Sequence, residues 1–143
     1  MYRHILLPTD GSELSKEAVR HGVQLARENG AKITFLNVVM PFHVVATTSD
    51  SLSDTRPEYE KHARQHAERL LGECQRAAEE AGVASDGAYM VNEHPHEEIV
   101  KAAQDADLIV MASHGRKGVK GLLLGSETHK TITHGHTPVL VIR

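Results

Sequence analysis

The sequence predicts an α/β fold built on a doubly wound, open parallel sheet. Three observations carry that expectation. Short apolar runs alternate with helix-period segments along the whole chain, in the order β-α-β-α-β-α-β-α-β. The run DLIVMA at 107–112 is almost continuously apolar, the pattern of a strand covered on both faces. A glycine-punctuated stretch follows that run and precedes a helical segment, at the kind of position where such sheets bind ligands.

Each element has its own signal. HILLP at 4–8 reads as a short buried strand stopped by Pro8. Thr9-Asp10-Gly11-Ser12 is a turn, with Ser12 placed to cap a helix. That helix spans about Glu13 to Asn29, with Leu14, Ala18, Gly22, Leu25 and Ala26 on one face and Asn29-Gly30 as its stop. KITFLNVV at 32–39 is the second strand, and residues 40–57, rich in Ser, Thr and Asp, read as a long loop. A second helix starts near Pro57 and carries the stripe Ala63, Ala67, Leu70, Cys74, Ala77 and Ala81 before Gly82. DGAYMVN at 86–92 suggests a third strand. Pro95 opens a short helix through Ile99, Val100 and Ala103. DLIVMA is the fourth strand, a last helix runs from about Ser126 to His134, and VLVI at 139–142 is the fifth strand. Right-handed crossovers then place helices on both faces of the sheet.

Composition narrows the function. A chain of 143 residues suits one domain spanning 1–143 and can bury a core without disulfides. Aromatics are 3% of the chain, so the core must be Val, Leu, Ile and Ala, and a bound base would sit between aliphatic walls. A net charge of -3 argues against a nucleic-acid binder. Cys74 is the only cysteine, which excludes an internal disulfide and fits a reducing compartment; on its apolar stripe it reads as a packed core residue. No secretory signal and no membrane-length apolar run is visible, so the expected setting is the cytoplasm, with no membrane partner.

The stretch from Met111, MASHGRKGVKGLLLGSETHKTI, carries the chemistry. Glycines let backbone approach a ligand and adopt positive φ, and successive N–H groups form an anion-binding nest. Gly125-Ser126 opens a helix, whose N–H groups and dipole favour a phosphate; Ser126 adds a hydroxyl that either bonds the phosphate or caps the helix. Arg116, Lys117 and Lys120 add positive charge. The stretch is neither a G-x-x-x-x-G-K-S/T loop nor a G-x-G-x-x-G fingerprint. On composition alone, a flexible surface loop explains it equally well. Asp10 likewise serves either as a turn cap or as a ligand contact. Ser113-His114 suggests a nucleophile and base, but adjacent side chains usually diverge and no acid is evident to orient the histidine. Among eleven histidines, His94 and His96 flank Pro95 and His134 and His136 flank Gly135; the latter pair reads as a solvated turn rather than a metal site.

Gly115, nine further residues, then Gly125-Ser126, preceded by Ser113-His114, resembles the ATP-binding signature of the universal stress protein family. HILLPTDGSELS, PHEEIVKAA, DLIVMASHG, LLLGS and PVLVIR resemble that family in order along the whole chain. The resemblance implies a sheet of strand order 3-2-1-4-5 and a homodimer paired through the last strand. It implies that Asp10, beside Pro8 and Thr9, meets a ribose, and that Val38 flanks adenine. Met111 and Ala112 would line base and ribose. His114, Gly115, Arg116, Gly125, Ser126 and the backbone of Glu127 would surround the phosphates of ATP, accompanied by Mg²⁺. Ala112 stands where the family signature has its first glycine, so its methyl group intrudes slightly and weakens the expected affinity. The implied role is a stress-response regulator. The alternatives are a weak ATPase or self-phosphorylating protein and a nucleotide-free, chaperone-like dimer.

Overall fold

The computed structural model describes residues 1–48, 54–115 and 124–143. Five parallel strands form one sheet: β1 (His4–Pro8), β2 (Lys32–Val39), β3 (Ser85–Val91), β4 (Leu108–Ala112) and β5 (Val139–Ile142), in the order β3-β2-β1-β4-β5. The helices are α1 (Glu13–Asn29), α2 (Phe42–Thr48), α3 (Arg56–Glu80), α4 (Pro95–Ala102) and α5 (Ser126–His134), with a short 3₁₀ turn at Ala103–Asp105 after α4.

Side-chain alternation along the strands separates two cores. Ile5, Leu7, Ile33, Phe35, Leu108 and Val110 face α1 and α3, where Ala18, Val23, Ala26, Leu70, Leu71, Cys74 and Ala78 cover them. Leu6, Leu36, Ile109 and Met111 face the other way and pack on Ile99 and Ala103. Both faces of β1 and β4 are therefore dry, as their unbroken apolar sequences require.

The expected strand order is observed, and each expected strand and helix is present, with one further helix, α2, between β2 and α3. Helix α1 has the predicted bounds: the Ser12 side chain accepts from Ser15 N, and Gly30 takes the left-handed conformation (φ 66°) at its end. Its buried face centres on Ser15, Ala18, Val19, Gly22, Val23 and Ala26, while Leu14 and Leu25 lie half-buried at the margins. Gly22 is where the helix comes closest to the sheet, since a Cβ there would collide with the buried Leu7 side chain.

Two expectations need correction. The 40–57 stretch is not all loop, because Phe42–Thr48 forms α2. Its β-branched residues favour helix weakly, and tertiary contact overrides that preference. The Phe42 ring sits 5.7 Å from that of Tyr59, whose hydroxyl donates to Met40 O at 2.7 Å. Residues 49–53 lie outside the described residues. The buried stripe of α3 passes through Leu71 and Ala78 rather than Ala77, which is exposed. Ala77 and Ala78 are equally apolar, and the placement of α3 on the sheet decides between them.

Candidate functional site

Strand order reverses direction between β1 and β4, so the turns leaving their carboxyl ends splay apart and open a crevice. The first wall is Thr9–Ser12. Asp10 Oδ1 accepts the Ser12 N–H at 2.9 Å, and Gly11 has φ 78°. Asp10 Oδ2 faces Gly115 across the crevice, so closely that a Cβ on residue 115 would collide with it. The alternatives left open by the sequence, turn cap or site wall, are thus divided between the two oxygens of one carboxylate.

The second wall follows β4. Ser113 N donates to Ile142 O at 2.7 Å and Gly125 N donates to Ser113 O at 2.5 Å, so the start of α5 is drawn against the end of β4. Thr128 Oγ1 adds a bond to Ala112 O at 2.9 Å. Gly125 is extended, with φ -71°; a Cβ there would lie 3.0 Å from His114 Cα. Neither Gly115 nor Gly125 has positive φ, contrary to the expectation for this loop. Gly125 is needed for close backbone approach instead. It also occupies the N-cap of α5 and, as a glycine, brings no side chain to cap the N–H groups of the first turn, where the helix dipole is positive. Ser126 is therefore a first-turn residue rather than the cap, and it is exposed.

The other predicted residues divide by role. Met111 is buried within the second core, and Val38 packs against the same cluster. Pro8, Ala112 and His114 are half-buried at the crevice end of the sheet. The Glu127 carboxylate turns away and accepts the His96 backbone N–H at 2.7 Å, with His96 Nδ1 at 3.1 Å and Lys130 Nζ at 3.7 Å. Only its backbone belongs to the α5 terminus. Arg116, Lys117, Gly118, Lys120 and Gly121 lie outside the described residues.

Ser113 and His114 do not diverge as expected. Ser113 Oγ and His114 Nδ1 are 3.1 Å apart, but Ser113 is buried and this bond engages it within the protein. The histidines distant in sequence also meet: the His96 ring stacks on that of His134 at 5.6 Å and lies 6.0 Å from His94. His134 and His136 are exposed, as a solvated turn requires. Among the described residues no group of three His, Cys, Asp or Glu side chains is arranged to hold a metal ion.

Sequence reasoning missed two residues beneath the first wall. Asn37 donates from Nδ2 to Thr9 O at 2.8 Å, and Ser15 Oγ accepts from Asp10 N at 3.2 Å while bonding Thr9 Oγ1 at 2.5 Å. The available signal was polarity out of place: an Asn inside KITFLNVV and a Ser on the buried face of α1. Cys74 is buried close to the same cluster. Burial, with the Glu73 charge nearby, pushes its thiol up to about 11 against a weaker opposing pull from Thr9. The thiol stays protonated and unreactive at neutral pH.

This is a doubly wound α/β protein with a carboxylate, a glycine and an uncapped helix N-terminus gathered at its switch point. The sequence pattern of the universal stress protein family matches residues 1–143, and the chain belongs to that family. Universal stress protein MJ0531 of Methanocaldococcus jannaschii is 35% identical over 145 residues, spanning 100% of this chain and 83% of that one. The solved structure of protein MJ0577 from the same organism superposes with a TM-score of 0.84 at 30% identity, covering 99% of this chain and 96% of that one. Two more distant structures share the fold. One is a universal stress protein in complex with cAMP (TM-score 0.73, 24% identity, 99% and 97% covered). The other, from Archaeoglobus fulgidus, is in complex with dAMP (TM-score 0.66, 20% identity, 99% and 98% covered).

Proposed function

We propose that this chain binds an adenine nucleotide, ATP with Mg²⁺, in the crevice between the ends of β1 and β4, and acts as a cytoplasmic stress-response regulator. The observation that carries this is the meeting of Asp10 Oδ2, Gly115 and the uncapped α5 terminus at Gly125-Ser126. The carboxylate suits ribose hydroxyls, and the helix terminus suits phosphate. Val38 and Met111, with Pro8 and Thr9 below, supply the aliphatic surroundings for the base. Gly115 and the Glu127 backbone complete the phosphate side, with His114 and Ala112 at the margin; Arg116, outside the described residues, is expected from the family resemblance to join them. The cAMP and dAMP complexes of distant family members support an adenine ligand.

Mg²⁺ prefers oxygen donors and is commonly held by one or two carboxylates together with substrate phosphates. One carboxylate oxygen facing the crevice, with no three-ligand protein cage among the described residues, fits a cation that arrives with the nucleotide. Bound there with the nucleotide, it would offset the charge of the phosphates.

Gly115→Val tests the site. Its side chain enters the space between Asp10 and the α5 terminus, so Mg-ATP binding measured by calorimetry is expected to fall at least about tenfold, a loss of ~1.4 kcal/mol. The circular dichroism spectrum is expected to stay that of the parent, because Gly115 is exposed and outside every element. A variant that binds as tightly as the parent places the nucleotide elsewhere.

A further inference from the structure

The Thr9–Asp10 peptide is held from both sides by buried side chains. Asn37 Nδ2, from β2, donates to its carbonyl oxygen at 2.8 Å. Ser15 Oγ, from α1, accepts from its N–H at 3.2 Å. The preceding N–H, that of Thr9, is fixed to Leu36 O at 2.9 Å, and Thr9 Oγ1 bonds Ser15 Oγ, with the buried Cys74 close to Thr9. Thr9, Ser15, Asn37 and Cys74 are all more than nine-tenths buried, and they come from the end of β1, from α1, from β2 and from α3.

Asn37 is poorly suited to its surroundings as a core residue. Its Oδ1 is buried and has no hydrogen-bond partner among the described residues. A half-satisfied amide is unfavourable in an apolar core, and an aliphatic side chain there would serve packing better. The bond that the amide does make falls on the peptide that leads into Asp10, whose Oδ1 is in turn held by the Ser12 N–H. Local rules are most often broken where a site must be held in place.

We propose that Asn37 and Ser15 are positioning residues that clamp the Thr9–Asp10 peptide, and that nucleotide affinity depends on this clamp. The inference rests on the binding site proposed above. Neither side chain touches the ligand; each acts through the direction it gives to the Asp10 carboxylate. Held in a single orientation, the carboxylate meets a ribose without first losing conformational freedom.

Asn37→Leu removes the donor and fills the space with apolar atoms. The test measures two quantities on the full chain: amide hydrogen exchange and Mg-ATP affinity by calorimetry. The amides of Asp10 and Ser12 are expected to exchange at least about tenfold faster while those of Ile109–Met111 in β4 change less than about twofold. Mg-ATP affinity is expected to weaken about tenfold or more. Ser15→Ala, which removes the other arm of the clamp, gives the same pattern and carries the test if Asn37→Leu does not fold. Unchanged exchange at Asp10 and Ser12, or acceleration that is equal in β4, overturns the proposal. So does unchanged affinity in a variant whose turn has loosened. If the parent protein itself binds no adenine nucleotide, the proposed function fails, and the exchange pattern still decides whether the clamp exists.

Discussion

At Asp10 one carboxylate oxygen accepts the Ser12 N–H while the other looks across to Gly115. Such division was half legible in the sequence. An Asp after a buried strand reads equally as a turn residue or a ligand contact, and only the fold shows that Gly115 stands opposite it. Asn37 and Ser15 were harder to find. Their meaning lies in bonds to a backbone peptide contributed by another element, which no spacing rule encodes. Cys74 was legible as a packed residue, and its burial has a measurable consequence. The unfolded thiol loses its proton near its ordinary value of 9.0, and the folded thiol holds it to about 11. Between those values the unfolded state binds fewer protons, so stability falls as pH rises, and this contribution is fully kept below pH 9. The loss is roughly 1–3 kcal/mol. Tyr59 and Tyr89, also raised by burial, act in the same direction at higher pH. Urea denaturation between pH 8 and pH 11 is expected to show the decline beginning near pH 9 in the parent and later in Cys74→Ala. Identical profiles would place the thiol in contact with water.

At the scale of elements, helix ends were the most legible features. Ser12, Gly30 and the β5 bounds fall where their sequence signals put them. The start of α3 carries more than the sequence suggested. Thr55 Oγ1 accepts from Glu58 N at 3.4 Å, and Glu58 Oε2 accepts from Thr55 N at 3.0 Å, a reciprocal capping box that spans Pro57. Thr55→Ala is expected to destabilise the protein by about 1 kcal/mol, a fall of about 2–4 °C in Tm by calorimetry. A change smaller than the error of the scan would mean that solvent satisfies the helix end equally well. The contrast with α5 is informative. That helix opens on Gly125 with no side-chain cap, and the half-buried His96 ties itself to the α5 carboxylate Glu127 rather than to the helix terminus. Helix α2 was illegible because it depends on the contact between Phe42 and Tyr59 rather than on its own composition.

For the whole molecule, alternation of strands and helices was enough to predict the doubly wound plan, and the strand order implied by the family resemblance is the one observed. The same alternation names the turns after β1 and β4 as the walls of a crevice; what the sequence could not supply was the close facing of Asp10 Oδ2 and Gly115 across it. Strand β5 forms one edge of the sheet, and its Leu140 is 40% exposed. An open edge with an exposed leucine supports the homodimer through the last strand that the family resemblance implies. Leu140→Glu is expected to convert a dimer into monomers in sedimentation equilibrium; a parent that sediments as a monomer contradicts the dimer outright. No helix among the described residues is long and apolar enough to cross a membrane. The central claim, an adenine nucleotide in the crevice between β1 and β4, is tested most directly by mapping backbone amide shifts in the labelled protein during a titration with Mg-ATP. The expected result is a saturable set of shifts centred on Asp10, Val38, Gly115, Ser126 and Glu127, with the outer groove between α1 and α3 around Val19 and Ala77 unmoved. Absence of shifts at millimolar nucleotide, or shifts centred on that groove, would contradict it.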